Sequence, residues 1–139
     1  MTARQPPEWA EHEWVWIGFP SHADLWEDYL AAAQAEVAAF ARAVHADGAG
    51  EEVRLVAADP AAAEEAARLA PFATIVQEPF GDIWLRDTGP IILKSGRDRL
   101  PVSFPFNGWG GKYELEGDDT VGLRLAETMD LEARRHGWI

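Results

Sequence analysis

Apolar and polar positions alternate along Trp14-Val-Trp-Ile-Gly-Phe19 in the manner of a strand, and Pro20 ends it. Ser21-His-Ala-Asp24 then opens a helix, with Asp24 and Glu27 in the three-residue relation of a capping box. Trp26, Leu30, Ala33, Val37, Phe40 and Val44 recur at helical spacing, which predicts one long amphipathic helix closed near Gly48. Val53-Arg-Leu-Val-Ala57 reads as a short buried strand. Asp59-Pro60 supplies an N-cap and a proline at the first helical position for an Ala-rich helix that Pro71 stops, and Ala73-Thr-Ile-Val-Gln77 is again a strand. Strand, crossover helix and strand make a parallel α/β unit, for which a right-handed connection is the rule.

Beyond Glu78-Pro79 the texture changes to loop-like motifs. Phe80-Gly-Asp-Ile-Trp-Leu-Arg-Asp-Thr-Gly-Pro90 is followed by a hairpin-like pair, Ile91-Ile-Leu-Lys-Ser-Gly96 and Leu100-Pro-Val-Ser-Phe104, then by Phe106-Asn-Gly-Trp-Gly-Gly-Lys-Tyr113. Asp118 or Asp119 is placed to cap a last helix with Val121, Leu125 and Met129 as its apolar positions. Leu131 to Ile139 has the character of a strand about to begin. No linker, second domain boundary or internal repeat is visible.

At 139 residues, with 47% hydrophobic and 26% charged positions, the chain suits one soluble globular domain and excludes a disordered or collagen-like one. The absence of Cys removes disulfides, thiolate metal sites and any Cys nucleophile supplied by these residues. A net charge of -12 argues against nucleic acid or an anionic membrane surface as partner, and suits a cationic small molecule. The first seven residues hold no apolar signal region and no 18-residue apolar run occurs, so a cytoplasmic protein is the default expectation.

Asp82-Ile-Trp-Leu-Arg-Asp-Thr-Gly-Pro90 gathers two carboxylates, a guanidinium and an indole between turn-forming glycines. Asp87 can offer two oxygens to a planar cation and Trp84 a π face, which together would clamp a guanidinium. An internal Arg86 to Asp82 ion pair with Trp84 in the core would explain the same residues, and Asp82 with Asp87 could be a paired-carboxylate site. In Asn107-Gly-Trp-Gly-Gly-Lys112 three glycines let the backbone take positive φ around Trp109, either to approach a ligand or to form a tight loop around a Trp. The run lacks the spacing and the Lys-Ser/Thr ending of a phosphate loop. His22-Ala-Asp24 is set aside as a general-base pair because Asp24 reads as a cap. His12, His45 and His136 are too scattered for a metal site.

Pro7-Glu-Trp-Ala-Glu-His-Glu-Trp-Val-Trp16, the Asp82 to Pro90 loop and the Phe106 to Tyr113 loop followed by Asp118-Asp119 together resemble the agmatine deiminase and bacterial-type peptidylarginine deiminase family, in the family's order and spacing. The resemblance implies an α/β fold: part of a five-module α/β-propeller (the pentein fold), of which residues 1–139 would be roughly the first two modules. It implies hydrolysis of agmatine to N-carbamoylputrescine and ammonia, a step of putrescine and polyamine metabolism, with no metal or organic cofactor. In that chemistry a Cys thiolate attacks the guanidinium carbon and a His-activated water releases the product. Asp87 matches a guanidinium-holding carboxylate, Trp84 an indole lining the same pocket, and Trp109 the aromatic along the substrate chain. The family's segments bearing a Glu, the catalytic His with a second Asp, and the Cys follow the point where this sequence stops, with Trp138-Ile139 matching the strand just before them. The chain is therefore expected to be an N-terminal portion, inactive alone. The competing expectations are a non-catalytic guanidinium-binding module, a pseudoenzyme, and association with other copies through open propeller edges. Complete chains of the family are expected to be dimers.

Overall fold

The computed structural model describes residues 2–137, which fall into two compact units: His12–Leu85, and a second built from segments 2–11 and 86–137. The division does not coincide with the change of texture at Glu78-Pro79. It passes between Leu85 and Arg86, inside a single helical turn and ahead of the polar Arg86-Asp87-Thr88 and the turn-forming Gly89-Pro90.

In the first unit, β1 (Val15–Gly18), β2 (Val53–Ala57) and β3 (Thr74–Gln77) form a parallel sheet in sequence order, with Val15 beside Val53 and Arg54 beside Thr74. Because strand side chains alternate between faces, Val53, Leu55 and Ala57 share one face of β2. They are buried with Ala38, Ala41, Ala62, Ala66 and Phe19, and Val15, Ile17 and Ile75 pack against that cluster. Alanines on both helices let the backbones sit close to the sheet, so the core gains tight packing more than bulk.

The crossover helix α3 (Pro60–Leu69) begins as its sequence foretells. The Asp59 Oδ1 accepts the Ala62 N–H at 2.8 Å, and Pro60 occupies the first turn. The longer helix departs from expectation. A short α1 (Ala23–Trp26) is capped at His22, Glu27 turns to φ 49°, a 3-10 turn covers Glu27–Tyr29, and α2 runs Leu30–His45. Asp24 therefore lies in the first turn of α1 and makes no capping bond, so the capping box is corrected. Within α2 the buried stripe runs through Gln34, Ala38 and Ala41 with Val37 and Val44 packed beside it, and Phe40 falls outside that stripe and is exposed. Gln34 has a specific reason to be inside, since its Nε2 donates to the Pro20 carbonyl at 2.9 Å. Ser21 joins the ends of β1 and β2, donating to Phe19 O at 2.8 Å and accepting from Ala58 N at 3.0 Å.

In the second unit β4 (Ile91–Ser95) and β5 (Asp98–Ser103) form the expected antiparallel hairpin after α4 (Leu85–Thr88). The N-terminal arm adds a bridge from Arg4 to Lys94. The Phe106 to Tyr113 loop contains a one-turn α5 (Gly108–Gly111), and α6 (Val121–Glu127) buries Val121, Leu125 and Ala126. Its N-cap is Thr120, without a side-chain capping bond, so neither Asp118 nor Asp119 caps it, and Met129 lies beyond its end. A two-residue β6 (Arg134–Arg135) runs parallel to β5. The strand expected at Trp138-Ile139 lies outside the described residues.

Candidate functional site

The turn that follows Pro79 begins with Phe80 buried against its own unit, where His22 Nε2 donates to the Phe80 carbonyl at 2.6 Å. That bond engages Nε2 alone; what sets His22-Ala-Asp24 aside is that no hydrogen bond joins His22 to Asp24 among the described residues. Asp82 organises the next residues: Oδ1 accepts the Ile83 N–H at 2.7 Å and Oδ2 accepts the Trp84 indole N–H at 2.9 Å. The indole is thereby oriented with its nitrogen engaged and its ring 52% exposed, so Trp84 is not a core residue. Trp14, by contrast, already has a guanidinium on its face, that of Arg54 at 3.5 Å from the ring centre.

In the second unit Arg86 pairs with Glu8 of the N-terminal arm, in place of the internal pair with Asp82 that the sequence left open. Asp87, one residue on, is exposed, and its carboxylate has no hydrogen-bond or ion-pair partner among the described residues. Thr88 behind it is buried. The neighbours of Asp87 are thus fixed while its charge is left available.

Trp109 is carried by a run of left-handed residues, with φ of 66° at Gly108, 55° at Trp109, 81° at Gly110 and 80° at Gly111. The sequence anticipated positive φ at the glycines; the indole-bearing residue itself adopts it too, which few non-glycine residues do. Asn107 stabilises the turn by accepting the Gly110 N–H on Oδ1 at 2.9 Å. Phe106 and Tyr113 stand edge-on to Trp109, with ring centres 4.9 and 6.2 Å away, and the indole is 44% exposed. The same loop borders a cleft of about 230 Å³ lined by Phe106, Asn107, Tyr113, Glu114, Asp118 and Asp119. No sequence reading singled out this cleft, and none of the three candidate site residues lines it.

Asp119 closes the loop at its base. Its Oδ1 accepts the Phe106 N–H at 2.8 Å, and Arg135 Nη2 bonds both carboxylate oxygens at 2.7 and 2.6 Å. Partial burial acts to raise the pKa of this carboxyl, but the Phe106 N–H and the Arg135 charge outweigh it and hold Asp119 below the ordinary aspartate value. A depressed folded pKa contributes stability that is full above the unfolded value near 4 and is lost as pH falls through the folded one. The unfolding midpoint of the wild-type chain should therefore exceed that of Asp119→Asn at pH 7, by less than about 1 kcal/mol because the pair is half exposed, and the two should converge on acidification. A difference that persists unchanged at low pH would contradict this role for the charge.

Among the described residues no group of three His, Asp or Glu could hold a metal ion, and no helix is long and apolar enough to cross a membrane.

The family model of Porphyromonas-type peptidyl-arginine deiminases matches residues 4–139. A Streptomyces coelicolor relative is 39% identical over 132 residues, which are 91% of this chain and 38% of that protein. The agmatine deiminase of Stutzerimonas stutzeri is 36% identical over 129 residues, 88% of this chain and 34% of its own length. Among solved structures, the agmatine deiminase of Enterococcus faecalis superposes with a TM-score of 0.83 at 24% identity, over 96% of this chain and 38% of that one. The fold is shared at that level, and the chain spans less than half the length of the proteins it matches.

Proposed function

Because the chain belongs to the Porphyromonas-type peptidyl-arginine deiminase family, we propose that it supplies one carboxylate and aromatic contacts for a guanidinium substrate in an agmatine deiminase-type hydrolase. Asp87 is the carboxylate, and Trp84 and Trp109 are the aromatic contacts. The observation that supports this best is the state of Asp87: exposed and without a hydrogen-bond or ion-pair partner among the described residues, between an Arg86 tied to Glu8 and a Thr88 that is buried. A free carboxylate fork is what a planar, permanently charged guanidinium recognises in two parallel N–H···O bonds.

The reaction replaces one guanidinium nitrogen of agmatine by the oxygen of water, releasing ammonia and leaving a ureido group. Asp87 holds the cation in one plane. Trp84 and Trp109 each present an exposed indole, a surface that favours a delocalised charge. The nucleophilic thiolate of this chemistry is not among the 139 residues, which contain no Cys. We assign it, with the activating His, to the part of the family's length that this chain does not span. The two units are, in this reading, the first two modules of a five-module α/β-propeller.

Magnitudes decide what the chain does alone. One exposed ion pair and one exposed cation–π contact contribute about 1–2 kcal/mol together, well short of the roughly 4 kcal/mol of a millimolar complex. In an isotope-labelled chain, agmatine should shift the Asp87 resonances without saturating at millimolar concentration, putrescine should not, and no ammonia should appear. An equal response to putrescine overturns the guanidinium assignment. Ammonia release by the chain overturns the claim that the nucleophile lies elsewhere. A second reading is a guanidinium-binding module without chemistry, for which the exposed Asp87 carboxylate suffices. It predicts the same shifts but saturation well below millimolar agmatine.

A further inference from the structure

Gly122 sits in the first turn of α6, between the buried Val121 and the half-buried Leu123, and nothing in its own backbone calls for glycine. A glycine there weakens the helix relative to alanine. Its surroundings supply the reason. A Cβ at this position would stand 2.8 Å from the Thr88 carbonyl oxygen, 3.3 Å from the Gly89 carbonyl carbon and 3.1 Å from Ser103 Oγ. Two of those three atoms are backbone and cannot swing aside. Thr88 and Ser103 are both buried, so the α6 backbone lies directly on the two residues that follow Asp87, all within the second unit.

We infer that Gly122 is a positioning residue for guanidinium recognition: by letting α6 seat on the Thr88–Gly89 backbone, it sets the direction in which Asp87 presents its carboxylate. The inference rests on the reading of Asp87 as the substrate carboxylate. A two-bond fork tolerates little misdirection, and a displacement near 1 Å in such a group costs about a hundredfold in a complete site. Alanine at 122 has to lift Thr88, which redirects residue 87, or tilt α6, which withdraws the surface against which Thr88 and Gly89 are seated. Gly122 touches no substrate in this account. It acts through the backbone of its neighbour.

The test compares the wild-type chain with Gly122→Ala, Ala126→Gly and Gly137→Ala, titrating each with agmatine and taking the initial slope of the Asp87 shift, which reports relative affinity without saturation. Ala126→Gly weakens the same helix without adding an atom near Thr88, and a Cβ at Gly137 meets nothing within 4 Å. Gly122→Ala should move the Asp87 to Gly89 resonances and lower the slope at least about fivefold, while both controls keep the wild-type slope. Wild-type resonances at Asp87 to Gly89, or an unchanged slope, in Gly122→Ala overturns the inference. So does an equal loss of slope in Ala126→Gly, which would trace the effect to stability alone. Should Gly122→Ala not fold, hydrogen exchange of the wild-type chain decides: opening of the Thr88 and Gly89 amides together with α6 supports the inference, and opening independent of α6 overturns it. A wild-type chain whose Asp87 ignores agmatine overturns the guanidinium reading instead, and the resonance and exchange arms then judge whether Gly122 sets the Asp87 backbone.

Discussion

Asparagine at the position matching Asp87 should lower the turnover of a full-length relative, such as the agmatine deiminase of Stutzerimonas stutzeri, by about thirtyfold to several thousandfold. The substitution keeps the shape and one acceptor but removes the charge, leaving a guanidinium without its counter-charge inside a site that excludes water. Losing one member of such a pair costs about 2–5 kcal/mol, and each 1.4 kcal/mol is roughly tenfold in rate. The fold should be indifferent, because Asp87 makes no hydrogen bond or ion pair among the described residues and faces solvent. Steady-state ammonia release together with an unfolding curve checks both halves. Near-normal turnover would remove Asp87 from the substrate site.

The second large effect is expected at Gly108. Its φ of 66° already disfavours any side chain, and a Cβ would stand 2.1 Å from the Tyr113 carbonyl oxygen and 2.5 Å from its carbon. Gly108→Ala therefore has to open the turn whose Gly108 carbonyl accepts the Lys112 and Tyr113 N–H groups, both at 3.0 Å. Gly110 has a similar φ of 81° but open space around it. Alanine at Gly110 should cost about 1–2 kcal/mol for the left-handed backbone alone. Alanine at Gly108 should cost about 3 kcal/mol or more, with a shift of Trp109 emission as its aromatic neighbours separate. Equal unfolding midpoints for the two variants would show that the close approach to Tyr113 carries no energy.

The parts of the fold that were legible in the sequence are those where local chemistry and tertiary need agree. Asp59-Pro60 marks the start of α3 because an oxygen acceptor and a fixed φ are each required at that point, and β2 was read to its exact residues from a short run of branched apolar side chains. The break at Glu27 was not legible, since a positive φ at a glutamate is imposed by the chain's path and carries no glycine or proline signal. Phe40 was misplaced for a different reason: it stands three residues after Val37 and so fits a helical repeat, while the buried stripe continues through the smaller Ala41. Asp119 reads as a helix cap because caps and loop latches use the same acceptor chemistry; only the position of the Phe106 N–H tells them apart. Of the site, Trp84, Asp87 and Trp109 were visible as side chains in unusual motifs. Gly122 was invisible, because what it contributes is an absent methyl group opposite Thr88 and Gly89, more than thirty positions away.

The bridge between Arg4 and Lys94 bears on the order in which the chain can be completed. The arm belongs to the second unit, yet it leaves the ribosome before residues 12–85, and its partner strand follows about ninety residues later. Closing a loop of that length from an unfolded chain is entropically unfavourable. Residues 12–85 form a compact unit of their own, and once they have condensed, the separation to be closed is the distance between the ends of a folded body, not the length of a coil. Synthesis from the N-terminus therefore favours a sequence of events in which the intervening unit folds while the arm waits. A gene fragment encoding residues 86–139 alone would have to recruit that arm as a separate peptide.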